Sequence, residues 1–237
     1  MNKLIIGIPI YNDLEGLKYA FNTFINSTMI RDKIILLESE SKDGSAEYCD
    51  ELAKFYDFVE VIHTPKEGPL KAYNRLFQIA KKEKSDLFLT QTDVIFPRKY
   101  NCDWLLEMKR IANEREDCGI ITCYGGGGHS GPDFINGFFW VGAWNIYIPY
   151  RTIEKIGGYD ENIPLGIGCD IDYTYRVKQL GYQIYLIDYW VNHYPDYIKN
   201  HEHEHREDIQ QQYKNAYIYL RKKHKLVEFS NKYEEVN

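Results

Sequence analysis

Four short apolar runs recur through the first half of the chain, and amphipathic stretches fill the gaps between them. "KLIIGIPI" (3–10) and "KIILLES" (33–39) are dense in aliphatic side chains with little polar alternation, the pattern of strands covered on both faces, and "VEVIHT" (59–64) and "DLFLTQTDV" (86–94) read as a third and a fourth strand. Between the first two, "DLEGLKYAFNTFINST" (13–28) places Leu14, Leu17, Ala20, Phe21, Phe24 and Ile25 at helical spacing. "DGSAEYCDELAKFY" (43–56) opens with Asp43 or Ser45 as a helix cap, and "PLKAYNRLFQIAKK" (69–82) reads as a third helix. Repeated β-α-β units form a parallel sheet. Right-handed crossovers then align the carboxyl ends of all four strands along one edge, where open α/β sheets bind ligands.

The second half reads as less regular. The glycine run at 125–128 and the aromatic run 134–150 suggest loops and antiparallel strands. "RTIEKIGGYDENI" (151–163) predicts a short helix ended by Gly157 and Gly158, and "DIDYTYRVKQLGYQIYLID" (170–188) a helix closed by Gly181 and then a strand. From about His201 the chain is polar and amphipathic, which predicts a peripheral helix. No repeat or linker divides the chain, so the expected organisation is one α/β domain over 1–200, in two lobes (1–98 and 99–200), with a helical tail over 201–237.

The balance of 29 Lys and Arg against 35 Asp and Glu leaves a formal charge of -6, which disfavours a broad electrostatic grip on nucleic acid. "MNKLIIGIPIYND" has only a short apolar stretch, broken by glycine and proline, too short for a signal peptide. The longest uncharged stretch, 134–150, contains Asn136, Asn145 and Pro149 and makes a poor membrane span. The expectation is a cytoplasmic protein, with peripheral attachment to the inner membrane surface left open. Cys49, Cys102, Cys118, Cys123 and Cys169 form no CxxC pair and are odd in number, so reduced thiols are expected.

Taken in order, "IPIYND" (8–13), "LLESESKDGSAE" (36–47), "EGPLKAYNRLFQIA" (67–80), "LFLTQTDV" (87–94), "IEKIGGYDENIPLGIGCDIDYTYRVKQLGYQIYL" (153–186) and "VNHY" (191–194) resemble the family 2 glycosyltransferases of the glycosyltransferase A fold. The resemblance implies a Rossmann-like, mostly parallel central sheet flanked by helices, with residues 1–98 as the nucleotide-binding half and 99–200 as a smaller mixed acceptor and catalytic half. It also implies the reaction: inverting transfer of a sugar from a UDP- or GDP-linked donor to an acceptor hydroxyl, in glycan or glycoconjugate synthesis. A diphosphate entering an acidic protein calls for a divalent cation, Mn2+ or Mg2+.

On this resemblance Asp93 is a metal contact, the last position of the family's Asp-x-Asp triplet, here Gln91-Thr92-Asp93 with an uncharged amide first; Gln91 and Thr92 face the donor. Pro9 and Tyr11 match the nucleotide-base wall. Glu38 stands where a carboxylate accepts the base N–H, while Ser39 replaces a second acidic residue. Lys71 and Asn74 are expected near the nucleotide or diphosphate, with Tyr73 where the family often has arginine. Asp170 is the expected base and Asp172 a supporting acid, with Cys169 where glutamate is usual. His193 matches a late metal ligand. For the acceptor, Trp140, Trp144 and Phe139 offer faces for sugar stacking, and the glycine run at 125–128 reads as a lid or a plain loop. Plainer roles stand beside these: Asp170 and Asp172 as helix caps, His193 as a structural residue, the tryptophans as core, "HEHEH" (201–205) as a solvated run. The departures at Gln91, Ser39 and Cys169 motivate a rival function, a non-catalytic nucleotide-sugar or glycan-binding module.

Overall fold

The computed structural model describes residues 2–99, 103–126, 133–135, 138–193 and 207–225. Strands Leu4–Ile10 (β1), Lys33–Glu38 (β2) and Val59–His63 (β3) pair in parallel, and Asp86–Thr90 (β4) flanks β1 on its other side in the same direction. Helices Leu14–Ser27 (α1), Ser45–Phe55 (α2) and Pro69–Glu83 (α3) make the crossovers. Asp13 caps α1, its carboxylate accepting the Gly16 N–H at 3.1 Å. For α2 the cap is Gly44, at φ 94°. Asp43 instead accepts from the Ser45 backbone and hydroxyl and, through its other oxygen, from the Leu14 N–H at 2.9 Å. One carboxylate thus ties the starts of two helices together at the sheet's ligand edge.

The second half extends the same sheet. After the two-residue strand Val94–Ile95 (β5) come Trp104–Glu114 (α4), Cys118–Gly126 (β6), Asp133–Ile135 (β7), Phe138–Trp140 (β8), Asn145–Ile148 (β9) and Tyr150–Ile156 (α5). A 3-10 turn at Pro164–Gly166 leads to Cys169–Gln179 (α6), Gln183–His193 (β10) and Glu207–His224 (α7). The eight-stranded sheet runs β3-β2-β1-β4-β9-β6-β10-β5, and β7 and β8 form a separate hairpin. β9 is antiparallel to β4 and β6, whereas β10 is parallel to β6. Because Thr90 pairs with Asn145, β9 begins at the edge where β4 ends, and β10 ends there too. One continuous sheet therefore runs through both halves of the chain.

Aromatic packing closes one face. Trp104 lies between Phe96 and Tyr189, with centroids 5.2 and 5.0 Å away and nearly parallel rings, and its indole N–H donates to Ser27 at 3.1 Å. On the opposite face Leu76, Phe77, Ile146, Ile153, Tyr173 and Val177 are buried, and Ala216 and Leu220 of α7 join them. The expected peripheral tail is in part a core element, because its apolar stripe finds an uncovered patch beside α6.

Candidate active site

Strand register gathers the candidate residues on one edge. Ile10 and Glu38 close the β1–β2 ladder, and the half-buried Pro9 sits opposite Leu37. Tyr11 follows at the rim, 44% exposed. Lys66, from the loop after β3, donates to the Tyr11 hydroxyl at 2.5 Å and lies 4.2 Å from its ring centroid, so charge and aromatic face are held together. Glu38 is buried. One carboxylate oxygen accepts the Ser41 N–H at 2.6 Å and the other meets His63 Nδ1 at 2.9 Å, while His63 Nε2 reaches Asp50 at 3.1 Å. Burial pushes the Glu38 carboxyl up, but His63 and Ser41 outweigh it and hold it below the usual range; the same bond to Glu38, with Asp50, raises His63. Glu38 thus anchors the loop after β2, and a base N–H would be a further partner for a carboxylate with four acceptor sites.

The turn after β4 is braced from two helices. Gln91 donates its amide N–H to the Tyr73 hydroxyl of α3, and Thr92 donates to Asp13, the cap of α1. Asp93 follows, and the next residue, Val94, pairs across the ladder with His193. The backbone therefore sets Asp93, in the turn before β5, one residue from the Val94–His193 pair; the His193 side chain lies outside the described residues. Among the described residues no group of three metal-ligating side chains is assembled. The donor chemistry that Asp93 and His193 bring, a hard carboxylate oxygen and an imidazole nitrogen, fits Mn2+ and suits Mg2+ less.

Asn74 and Asp172, expected at the donor and in the cleft, have partners of their own within the fold. Asn74 is engaged by the loop after α5: its amide donates to the Tyr159 carbonyl at 3.0 Å and to Glu161 at 2.8 Å, and its oxygen accepts the Tyr159 N–H at 2.7 Å. Residue 158 must be glycine for this approach, since a Cβ there would stand 2.2 Å from the Asn74 oxygen. Lys71 remains on the exposed face of α3. Asp172, expected as a supporting acid in the cleft, is 0% exposed and turned to the far side of α6. It accepts from Arg176 at 2.8 Å, from Lys223 at 2.5 Å and from His224 at 2.8 Å. Burial pushes its carboxyl up, and Lys223, Arg176 and His224 more than reverse that, leaving it below the ordinary value.

Asp170 is the second residue of α6, behind a Gly168 cap at φ 79°. Its carboxylate accepts the Ile171 N–H at 2.8 Å and also a bond from the Ala143 backbone, in the loop that enters β9. Burial dominates these bonds and pushes its pKa from 3.8 to about 6. β9 starts opposite the end of β4, so the Asp170 loop and the Asp93 turn belong to the same edge. Cys169, beside it, is buried, and burial drives its thiol far up, so it is an inert space-filler where a carboxylate was expected. Trp144 is 6% exposed and packs in the first core, so it offers no open face for a sugar. Trp140 ends β8; its side chain and that of Phe139 lie outside the described residues, as do residues 127–128 of the glycine run and the whole "HEHEH" segment.

The glycosyl transferase family 2 profile matches residues 5–153, well over half of the chain. This chain is a family 2 glycosyltransferase by sequence. It is 29% identical over 99 residues to the uncharacterized glycosyltransferase YibD of Escherichia coli (strain K12), a stretch that covers 42% of this chain and 28% of that one. The fold is that of the mannosyltransferase PcManGT from Pyrobaculum calidifontis, solved in complex with GDP-Man and Mn2+, at TM-score 0.68 and 14% identity over 97% of this chain and 66% of that chain. GalNAc-T7, solved with UDP, GalNAc and Mn2+, superposes at TM-score 0.64 and 15% identity over 81% of this chain and 44% of its own. Staphylococcus aureus TarS (residues 1–349) superposes at TM-score 0.58 and 13% identity over 81% of this chain and 60% of that one. The family 2 chain thus has the glycosyltransferase A fold, and it spans less than a third of the YibD sequence.

Several members of this edge were not picked out from sequence. The Asp50–His63–Glu38 chain carried one legible signal: His63 ends its strand as Glu38 ends the neighbouring one, and parallel register sets them side by side. Lys66 and the Tyr73–Gln91 bond carried none, because each joins residues from separate elements.

Proposed function

We propose that this protein is a metal-dependent inverting glycosyltransferase that moves a sugar from a UDP- or GDP-linked donor to an acceptor hydroxyl. The observation that carries the reading is the common sheet edge: Tyr11, Glu38, the Asp93 turn and the Asp170 loop converge there from strands distant in sequence. Tyr11 and Pro9 flank the base, and Glu38, held by Ser41 and His63, accepts a base N–H. Asp93 and His193 would hold Mn2+ or Mg2+, whose charge, when bound, offsets that of the diphosphate and favours its departure. The relatives solved with GDP-Man or UDP together with Mn2+ support that donor class.

Asp170 takes the acceptor proton. With a pKa of about 6 it is ionised at neutral pH yet far more basic than an exposed aspartate. As its oxygen removes the hydroxyl proton, the acceptor oxygen bonds to the anomeric carbon and the bond from that carbon to the diphosphate oxygen breaks on the opposite face. Inversion follows from that opposition. The acceptor is a hydroxyl compound reached from solution or from a membrane surface; among the described residues no helix is long and apolar enough to cross a membrane.

Released nucleoside diphosphate, measured with Mn2+ and a panel of UDP- and GDP-sugars, tests the reading. Turnover is expected with at least one donor and should fall by about 100-fold or more in Asp170→Asn. Equal turnover in the two proteins would remove Asp170 as base, and none with any donor would leave the binding-module reading in its place.

A further inference from the structure

The carboxyl-terminal helix reaches the candidate base through two carboxylates. Lys223 bridges Asp160, at 2.7 Å, and Asp172, at 2.5 Å, while His224 bonds Asp172 at 2.8 Å and the Tyr219 hydroxyl donates to Asp160 at 2.6 Å. Asp160 lies in the loop between α5 and α6, and Asp172 lies in the first turn of α6, two residues after Asp170. The segment between them carries the 3-10 turn and takes left-handed backbone at Leu165, Gly166 and Gly168. Its far end is pressed by α7 directly: a Cβ at Gly168 would stand 2.8 Å from Leu220, whose side chain is buried there.

Arg176 supplies Asp172 with one cation from within α6 and ties that helix to the Ile156 and Gly158 carbonyls at 3.2 and 2.8 Å. That alone would hold α6 against α5. What Lys223 adds is a clamp across both ends of the 160–172 segment, because one ammonium serves carboxylates on either side of it. A wholly buried carboxylate is retained only where charges meet it, so the end of α7 and the start of α6 are fixed as a unit.

We propose that Lys223 and His224 are positioning residues for Asp170: α7 latches the first turn of α6 so that the base faces the acceptor. The inference rests on the reading of Asp170 as the base. It assigns the tail a role in transfer and none in donor binding, since Tyr11, Glu38 and Asp93 lie on elements that α7 does not clamp.

Lys223→Met, Lys223→Arg and His224→Asn are made in the whole chain beside Asp170→Asn, and three quantities are read: UDP and GDP affinity with Mn2+ by calorimetry, kcat with the active donor, and amide exchange across 157–175. For Lys223→Met, nucleotide affinity should stay within about two-fold while kcat falls 10- to 100-fold, on the order expected when a reacting group is displaced by about an ångström. Exchange should accelerate only in 157–175, and Lys223→Arg, which keeps the charge, should retain kcat within about three-fold. His224→Asn, which keeps a hydrogen-bonding group, should fall between the two. Unchanged kcat in Lys223→Met alongside an inactive Asp170→Asn overturns the latch and leaves the base standing. Parallel loss of nucleotide affinity and kcat also overturns it, since that is the mark of general unfolding. If Asp170→Asn is itself fully active, the base assignment fails first, and the latch fails with it.

Discussion

An ionised carboxylate held where burial resists it should cost the fold stability, and Asp170→Asn reads that cost. The pKa rise from 3.8 to about 6 is worth about 3 kcal/mol at about 1.4 kcal/mol per pH unit. Between those two values the folded chain keeps a proton that the unfolded chain has released, so stability from this group falls as pH rises through the window and the full cost stands above it. The asparagine still accepts the Ile171 N–H but brings an NH2 that needs partners, which returns about half of the gain. The variant should therefore be more stable than wild type by about 1–2 kcal/mol above about pH 7, or about 3–6 °C in Tm for a chain of this size, and by almost nothing near about pH 4. Urea melts of both proteins across that range give the difference directly, and other titrating groups cancel in it. A flat difference, or a variant weaker than wild type at neutral pH, would refute the claim that burial strains this carboxylate.

Asn74→Ala should lower Tm by about 5–10 °C, since it strands the buried Tyr159 N–H and carbonyl at a cost of about 2–3 kcal/mol; calorimetric melting checks it, and nucleotide affinity of the folded variant should not change. Asp93→Asn should weaken UDP or GDP binding about ten-fold or more in Mn2+ and leave binding without metal unaltered, as titration calorimetry would record. His63 has its pKa raised by Glu38 and Asp50, so its contribution is fully present below about pH 6.5 and is lost as pH rises past its folded value. The stability gap between wild type and His63→Asn in urea should accordingly be wider at about pH 6 than at about pH 9.

Strands β1 to β4 and their helices were legible because β1 and β2 are nearly continuous aliphatic runs, β3 and β4 are short apolar segments between helical stretches, and each helix shows its stripe. Past Asp93 that alternation fails: β5 has two residues, too few for any pattern, and β6 carries glycine at its second position and its last two. α4 carried its own signals, an Asp103 cap bonded to the Leu105 and Leu106 N–H groups and an inward set of Trp104, Leu105, Met108 and Ala112, but no strand of readable length introduces it. Within the site, three residues along a helix turn a side chain by about 60°, enough to leave Lys71 in solvent while Asn74 joins the buried face with Tyr73 and Phe77. Trp144 shows the limit for aromatics, since a stacking platform and a core ring have the same composition. Asp172 and its partners on α7 stand some fifty positions apart, a pairing no local pattern encodes.

The two departures at Gln91 and Tyr73 meet in one hydrogen bond. Each stands where the family pattern has a charged side chain, and the amide of the first bonds the hydroxyl of the second, the tyrosine buried and the glutamine half-buried. A guanidinium at 73 facing an amide would be a buried cation without a counter-charge, whereas a carboxylate at 91 could still accept from the phenol. Tyr73→Arg alone should therefore cost about 3 kcal/mol or more, Gln91→Asp alone about 1 kcal/mol or less, and the double substitution should recover at least about 1 kcal/mol of the sum. Urea melts of the four proteins close the cycle. Strict additivity would mean that the neutral pair is not coupled, and that the loss of charge at 91 has to be explained by the donor and not by its neighbour on α3.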